Sequence, residues 1–467
     1  MVARIEIELC NPLKREKFDD IIIHLHKDNE LYSTNINFDF NPLYSFARDK
    51  ESIAFDFLLF SIMIYNIDRF VNRNIFSLEG WTREIEVTNM PVIHTNEFQN
   101  VKSKLDDAIS FLTGDNWNIN FCEYEGARYN AKSDIKDWGD LSVYDEVCLF
   151  SGGLDSLIGA INKLENGQSK LLLISHKESG REGTDQNDIL TLFNQLHFYD
   201  NKYDQIQTSV GIGKKVIDNK IEKEATFRSR SLLFIGMGIY AAYRIGRNIQ
   251  LIIPENGTIA LNIPLMSSRR SACSTRTTHP TFLSLLQNIL TEIGIFNPMY
   301  NPYDLKTKGE MVDKSQNSIV LQQLIHASCS CAKRGHNFYW DANSQTIIQN
   351  NIRHCGMCLP CIYRRVSLHM NNLDQNVNLH YGTDIFNGIK YDINNKEQKS
   401  TRDFRTLLEF IKNRPTIERI EKELLINGVR DISKLHEYAL VIDRTIDQII
   451  DWIRASGNHV IKRKAGI

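Results

Sequence analysis

The chain has 467 residues, of which 55 are basic and 57 acidic, so its formal net charge is −2. Because single cores rarely grow past ~250–300 residues, this length predicts two or three domains. The balanced charge gives no overall field that would attract nucleic acid or an anionic membrane. The nine cysteines include four in one region, which argues against a secreted disulfide framework. With no signal-peptide pattern and no apolar run long enough for a bilayer, we expect a cytoplasmic location with reduced thiols.

Residues 1–140 are predicted to form an N-terminal α+β domain. Period-two alternation predicts half-buried strands, and long apolar runs predict helices. The predicted strands are Ala3–Cys10, Thr34–Phe40, Trp81–Val92 and Asn118–Tyr124, and the predicted helices are Ala54–Val71 and Val101–Leu112. No catalytic constellation is evident in this part of the chain, so a core-building role is the default and partner or substrate binding is the alternative.

Residues 141–380 alternate strands with helices, which predicts an α/β domain with a doubly wound parallel sheet. The predicted elements are a strand at Val147–Phe150, a helix from Ser156 through Leu164, a strand at Lys170–Ser175, a helix at Asp185–Leu196, a strand at Tyr203–Val210, a helix at Phe227–Ile245 and a strand at Ile249–Ile253. Ligands of such sheets bind beyond the carboxyl ends of the strands. The residues that follow the first, second and last of these strands should therefore converge on one crevice.

A glycine loop, Ser151-Gly152-Gly153-Leu154-Asp155-Ser156, follows the first of these strands. Its backbone N–H groups and the dipole of the helix that follows make an anion site. Gly152 and Gly153 leave no Cβ between the backbone and a bound phosphate. The hydroxyls of Ser151 and Ser156 can add hydrogen bonds, and Asp155 can hold a Mg²⁺ ion that accompanies a polyphosphate. The loop is not a Walker A motif, because no Gly-Lys-Ser/Thr follows.

Two other glycine motifs have simpler interpretations. Gly236-x-Gly238-x-x-Ala241 matches a loose dinucleotide fingerprint but lies inside an apolar helical run, so close helix packing is the better account. Gly211-Ile-Gly213-Lys214-Lys215 is predicted to be a solvated turn, with a phosphate loop as the alternative. Residues 381–467 are predicted to be a peripheral helical extension, with helical periodicity over Arg402–Asn413 and Leu435–Ala455.

A group of cysteines predicts a metal site. Cys355-Gly356-Met357-Cys358-Leu359-Pro360-Cys361 offers three thiolates at a spacing that can wrap one tetrahedral zinc ion. The fourth thiolate comes from Cys329 or Cys331, which lie upstream. Four sulfur ligands leave no open position, so the zinc is predicted to be structural. An iron–sulfur cluster remains the alternative, because cysteine spacing alone does not choose the metal.

The glycine loop and the cysteine knuckle together resemble the QueC-like family of PP-loop ATP-pyrophosphatases, over about residues 145–375. The resemblance implies an adenine nucleotide alpha hydrolase-like fold that uses ATP and Mg²⁺. It also implies that Cys329, in Ser-Cys-Ser, is the fourth zinc ligand. Asn301–Lys308 looks like the family's proline–threonine–lysine segment, which implies that Lys308 lies near the ATP phosphates.

The chain departs from biosynthetic QueC, since it has an added N-terminal domain and Ser175-His176 after the second strand. It also has Glu255-Asn256-Gly257 and Thr275-Arg276-Thr277-Thr278-His279-Pro280, which are similar to segments of the longer QueC-like proteins of anti-phage operons, above all the QatC group of the Qat system. That likeness implies adenylation of 7-carboxy-7-deazaguanine and its transfer to an amine, such as the N-terminus of a QatB-like partner protein. An ATPase and a TatD-like nuclease are the other implied operon products.

Under this resemblance the site residues have the following expected roles. ATP is expected to contact Ser151–Ser156, Ser175, His176 and a clamp formed by Arg230 or Arg228, and catalysis is expected to involve Asp155, Ser156, Lys308 and Arg276. The guanine-like substrate is expected to contact Glu255, Asn256, Asn262, Arg276, Thr278 and His279. The structural alternatives are a surface carboxylate for Glu255 and a hydrogen-bonded loop histidine for His279. The alternatives are a nitrile-forming 7-cyano-7-deazaguanine synthase, a tRNA-modifying adenylating enzyme, and a catalytically silent nucleotide-binding scaffold.

Overall fold

The computed structural model describes residues 2–10, 20–27, 30–78, 80–124, 129, 135–167, 169–217, 222–265 and 276–467. The described strands are β1 (Val2–Cys10), β2 (Asp20–Lys27), β3 (Glu30–Phe38), β4 (Ser77–Leu78), β5 (Thr82–Val92), β6 (Asn116–Glu123), β7 (Tyr144–Leu149), β8 (Lys170–His176), β9 (Tyr203–Thr208), β10 (Val210–Ile217), β11 (Gln250–Ile252) and β12 (Met299–Tyr300).

Helices cover both sheets and form most of the C-terminal region. They are α1 (Asn41–Ala47), α2 (Ile53–Phe70), α3 (Arg73–Phe76), α4 (Thr95–Asn100), α5 (Lys102–Thr113), α6 (Leu154–Asn166), α7 (Gly180–Gln195), α8 (Arg230–Ile245), α9 (Gly257–Leu261), α10 (Pro280–Glu292), α11 (Lys308–Asp313), α12 (Ser318–Leu324), α13 (Ser344–Gln349), α14 (Leu359–His369), α15 (Val377–His380), α16 (Arg402–Lys412), α17 (Ile417–Ile426), α18 (Leu435–Ser456) and α19 (His459–Ala465). The chain is therefore an α/β protein with a helical C-terminal region, as predicted. None of the described helices is both long and apolar enough to cross a lipid bilayer.

The first sheet has the strand order β10-β3-β2-β1-β5-β4, with β6 also paired to β5. In β1, alternate residues are buried, as its period-two sequence predicts. Strand β10 comes later in the chain but pairs antiparallel with β3, with Val210 opposite Phe38. The predicted turn at 211–215 is therefore wrong. A Cβ on Gly213 would lie 2.1 Å from Oδ1 of Asn35, so the glycine permits this close strand pairing.

Helix α2 lies at the centre of the first core, and all of its residues except Arg69 are buried. It packs against α8 at a point where the facing residues, Ser61 and Gly236, are both small. A Cβ on Gly236 would lie 2.5 Å from Oγ of Ser61 in α2. A Cβ on Gly238 would lie 2.5 Å from a methyl group of Leu251 in the second sheet. The interpretation of these glycines as packing positions is confirmed.

The second sheet has the order β12-β11-β7-β8-β9, and every neighbouring pair is parallel. Along β7, Val147 and Leu149 pack in the core that contains α2 and α8, whereas Cys148 packs in the core that contains α6. Helices thus cover both faces, which is the doubly wound arrangement. From β7 the chain continues to β8 on one side, while β11 joins on the other, so the strand order reverses there. Crevices at such reversals are where open α/β sheets bind ligands.

Candidate functional site

The glycine loop lies at this reversal, between β7 and α6. Gly152 has φ +82°, a conformation that favours glycine. Helix α6 begins at Leu154, two residues before the predicted start, because the carbonyl of Gly153 already accepts the N–H of Leu157 at 3.0 Å. The Ser156 hydroxyl also donates to the Gly153 carbonyl at 3.0 Å. The loop therefore places the first turn of a 13-residue helix at the edge of the sheet, where its dipole favours an anion.

Residues that are distant in sequence hold the loop in this shape. The N–H of Cys329 donates to the Gly152 carbonyl at 2.8 Å, and the N–H of Leu154 donates to Oγ of Ser330 at 3.3 Å. The buried Gln186 donates from Nε2 to the Ser151 carbonyl at 3.3 Å. Sequence reasoning assigned no role to the side chains of Ser330 and Gln186, because their contacts with the loop join residues that are far apart in the chain.

A buried cluster of charged and polar groups lies beside the first turn of α6. Nζ of Lys308 donates to Oδ1 of Asp155 at 2.5 Å, and Nδ2 of Asn256 donates to Oδ2 at 2.8 Å. The same amide nitrogen lies 3.0 Å from Oε1 of Glu255, whose carboxyl hydrogen-bonds to that of Asp155. Four residues predicted for the site are therefore brought together around one carboxylate.

The two carboxyl groups of this cluster have opposite pKa shifts. Burial raises the pKa of Asp155, but the charge of Lys308 and hydrogen bonds from its neighbours outweigh burial and hold the pKa below its usual value. Burial raises the pKa of Glu255 well above its usual value, and the charge of Asp155 raises it further. The cluster therefore favours ionisation of Asp155 over that of Glu255.

Local sequence explains why these side chains converge. Asn256 caps α9, since its Oδ1 accepts the N–H of Ile259 at 3.1 Å. Lys308 is the first residue of α11, where Thr307 and Glu310 form a capping box. These caps fix the first turns of two short helices that follow β11 and β12. Their polar side chains therefore meet Asp155 at the carboxyl edge of the sheet.

The cluster forms one wall of a cleft of about 360 Å³. Arg230 lines another wall and makes a bidentate contact with Glu182, at 3.0 and 2.7 Å. Arg334, which was not predicted, also lines the cleft. Lys308, Arg230 and Arg334 pair with Asp155, Glu182 and Asp185 respectively, so the walls carry both charges. Such polar groups beside apolar side chains can orient a polar ligand that also has a flat, apolar part. The remaining lining includes Ser151, Gly153, Leu154, Ser156, Asp185, Pro254, Ile259, Cys329, Ser330, Cys331, Ala332, Pro360 and Tyr363.

Ser175 and His176 were predicted to contact ATP, but they are buried at the end of β8 and do not line this cleft. Oγ of Ser175 donates to the Phe150 carbonyl at 2.8 Å. Nε2 of His176 lies 2.9 Å from the Val210 carbonyl, and burial lowers the pKa of this imidazole to about 4. The two side chains thus join the end of β8 to the carbonyl that follows β7 and to the first residue of β10 in the other sheet.

The polar residues predicted near position 276 also lie away from the cleft lining. Arg276 donates to the Phe111 carbonyl at 3.0 Å and stacks on the Phe111 ring. His279 caps α10 and packs against the same ring, and burial lowers its pKa to about 3. Thr278 is buried next to it. Thr275, which belonged to the same predicted motif, lies outside the described residues.

Two further predicted residues, Arg228 and Asn262, are not part of the cleft lining. Arg228, the alternative phosphate clamp, is buried and donates to the Thr113 carbonyl at 2.7 Å. Asn262 ends α9 in a left-handed conformation, with φ +37°. The described structure therefore assigns Arg230, and not Arg228, to the cleft wall.

Four cysteines lie close enough together to hold one metal ion: the group consists of Cys331, Cys355, Cys358 and Cys361. Their sulfur atoms all lie within 4.8 Å of one another, and the Sγ atoms of Cys355 and Cys361 are 3.8 Å apart. Tetrahedral zinc with Zn–S bonds of about 2.3 Å needs sulfur atoms about 3.8 Å apart. The group therefore fits a zinc ion.

The turn between the first two knuckle cysteines is shaped by one glycine. Gly356 has φ +79°, and a Cβ there would lie 2.0 Å from the Thr383 carbonyl. The turn lets the N–H groups of Met357 and Cys358 donate to Sγ of Cys355, at 3.3 and 3.4 Å. Such N–H···S hydrogen bonds stabilise the negatively charged thiolate, which is the form of cysteine that binds a metal ion.

The preference for Cys329 as the fourth member of the group is wrong. Its N–H is bound to the glycine loop, and its Sγ lies 3.7 Å from the Arg353 carbonyl. Cys331 instead accepts the N–H of Cys355 at 3.3 Å and completes the group. The short segment from Cys329 to Cys331 thus joins the glycine loop at one end and the cysteine group at the other.

The fold and the site together define an α/β protein with a glycine loop at the edge of a parallel sheet and a four-cysteine group beside it. A scan against protein-family models found no match to this chain, and searches of curated proteins and of solved structures also found none. The geometry of the site therefore has to carry the functional conclusion.

Proposed function

We propose that this chain is an ATP-dependent enzyme that activates a carboxylate as its adenylate and transfers the acyl group to an amine. The observation that carries the proposal is the glycine loop at the start of α6, with the buried pair Asp155 and Lys308 beside it. Backbone N–H groups, a helix dipole and an ammonium group at one sheet edge suit a polyphosphate. The motif resemblance to QueC-like proteins supports the same activity.

The loop residues would hold the pyrophosphate part of ATP, with Lys308 and Arg230 supplying positive charge at the cleft walls. The carboxylate oxygens of Asp155 suit Mg²⁺, which prefers oxygen ligands and, when bound, neutralises phosphate charge. The amide of Asn256 is already used by Asp155, Glu255 and the N–H of Ile259. We therefore propose that Asn256 orients Asp155, in place of its predicted contact with the substrate.

The proposed reaction has two steps. A carboxylate oxygen of the substrate attacks the α-phosphorus of ATP, and the bond to pyrophosphate breaks. An amine nitrogen then attacks the acyl carbon, the bond to AMP breaks, and the amine loses a proton. The chain contributes position and charge stabilisation, because it brings the reacting groups together in a partly enclosed cleft.

The resemblance to QueC-like defence proteins supplies the identity of the substrates. We propose 7-carboxy-7-deazaguanine as the acid and the N-terminus of a QatB-like partner protein as the amine. Cys331, Cys355, Cys358 and Cys361 would hold a structural zinc ion, since four sulfur ligands leave no open position for chemistry. Such an ion would fix the segment that supports the glycine loop.

Release of AMP tests this proposal. Purified protein with ATP, Mg²⁺, 7-carboxy-7-deazaguanine and an amine acceptor (ammonia or a peptide N-terminus) should form AMP and pyrophosphate, and Asp155→Asn and Ser156→Ala should lose at least about 100-fold in rate. Ser142→Ala is the control, because its exposed hydroxyl donates to the Asp140 carboxylate and is not part of the cleft lining. Equal rates in all variants, or no AMP with any amine, would refute the proposal. Ammonia as the sole acceptor would point to nitrile synthesis.

A further inference from the structure

One helix of the C-terminal region packs directly against the two short helices that carry the site. Along α18, Val441, Arg444, Thr445 and Gln448 lie on one face, since they are three or four residues apart. This face contacts α9 and α11. The C-terminal region was predicted to be peripheral, and the position of α18 shows that it is not.

The contacts with α11 involve the residues that cap it. Nε and Nη2 of Arg444 donate to the carboxylate of Glu310 at 2.6 and 3.2 Å, and Nη2 also donates to the Leu305 carbonyl at 2.9 Å. Nε2 of Gln448 donates to Oγ1 of Thr307 at 2.8 Å. Thr307 and Glu310 are the two halves of the capping box. Arg444 and Gln448 therefore hold both side chains that fix the first turn of α11, where Lys308 lies.

The same helix contacts α9. The Oγ1 atoms of Thr445 and Thr258 are 2.7 Å apart. At the start of α9, a Cβ on Gly257 would lie 2.2 Å from the Asp304 carbonyl and 3.1 Å from Val441. Helix α18 therefore sets the spacing between α9 and the segment that leads into α11, and with it the geometry around Asp155.

We propose that Arg444 and Gln448 are positioning residues that hold Lys308 at the site, so that α18 belongs to the catalytic unit. This inference rests on the proposed function, because the role of Lys308 toward phosphate belongs to that proposal. Helix α11 has only six residues, and so short a helix has little stability of its own. Arg444 and Glu310 are 40% and 30% exposed, so their ion pair adds little to global stability. Its effect should appear in the order of α11 and in the rate.

The experiment compares Arg444→Gln and Gln448→Ala with Arg414→Gln. Arg414 makes two ion pairs with the same helix, to Asp443 at 2.6 Å and Asp447 at 2.5 Å, and is 39% exposed. It does not touch the capping box, so it controls for loss of charge contacts on α18. Arg444→Lys tests for partial rescue. The two readouts are hydrogen exchange of the backbone amides of α11, and kcat and KM for ATP in AMP release.

We expect Arg444→Gln and Gln448→Ala to exchange faster in α11 and to lose about 10- to 100-fold in kcat, with a smaller change in KM. Arg414→Gln should match the wild type in both readouts, and Arg444→Lys should recover part of the rate. Exchange and kcat that match those of Arg414→Gln would overturn the inference. If the wild type has no turnover, the proposed function fails, and the exchange readout alone still decides whether α18 orders α11.

Discussion

Replacing Lys308 by methionine removes the positive charge from the buried cluster while keeping the length of the side chain. Lys308 and Asp155 are only 10% and 11% exposed, so solvent screens their interaction little. Removing one partner of such a pair leaves an uncompensated buried charge, which costs about 3–5 kcal/mol of unfolding free energy. We expect a loss of this size at pH 8, measured by urea unfolding.

The pH dependence of this loss tests its electrostatic origin. In the wild type, the lowered pKa of Asp155 gives a contribution to stability that is present above the ordinary value of 3.8 and is lost as the pH falls through the native value. Without Lys308, burial raises the pKa of Asp155, so the native state favours the protonated acid and loses stability as the pH rises. The difference between wild type and Lys308→Met should therefore be small near pH 4 and largest at pH 8.

Two further variants make the result decisive. Lys314→Met removes an exposed lysine after the same helix, whose pair with Asp313 is 65% and 61% exposed, and it should change stability by less than about 1 kcal/mol. Asp155→Asn combined with Lys308→Met removes both charges and should recover much of the loss. A loss in Lys308→Met that does not vary with pH, or a double variant that is no more stable, would refute the reasoning.

Three further predictions concern the metal group and Glu255. Cys331→Ser should lose bound zinc, whereas Cys329→Ser should keep about one ion per chain by elemental analysis; the reverse result would restore Cys329 as the ligand. Gly356→Ala should lose zinc and at least about 1–2 kcal/mol of unfolding free energy, because φ is positive at this position and the added Cβ would meet the Thr383 carbonyl. Gly294→Ala is the control and should keep zinc, because Gly294 also has a positive φ but lies in open space. The raised pKa of Glu255 means that the native state holds a proton which the unfolded chain releases above about pH 4.5, so this group makes wild-type stability fall as the pH rises. Glu255→Gln should flatten that fall by up to about 1.4 kcal/mol per pH unit in urea unfolding. An unchanged slope would argue against the raised pKa.

The parts of the fold that local chemistry determines could be predicted from the sequence. Alternating strands and helices predicted the parallel sheet, and two adjacent glycines before an amphipathic run predicted the loop at the start of α6. The spacing of Cys355, Cys358 and Cys361 predicted that these three residues belong to one group. Each of these features depends on residues that are close together in the chain.

Features that depend on distant partners could not be predicted in this way. Strand β10 contains two glycines and two lysines, and it becomes a strand because β3 offers an edge. Arg276 and His279 form a polar cluster that suited a substrate, but the ring of Phe111 in α5 binds them both. The periodicity of α18 predicted a helix, but it could not predict that Arg444 would contact the capping box of α11.

The central claim is that the glycine loop, together with Lys308, binds the phosphates of ATP. Crystals soaked with Mg²⁺ and a non-hydrolysable ATP analogue test it most directly. We expect the phosphates to lie over Gly153 and the first turn of α6, within hydrogen-bond distance of the loop N–H groups and of Lys308. Nucleotide bound elsewhere, with the loop and the cleft beside Asp155 unchanged and empty, would contradict the account.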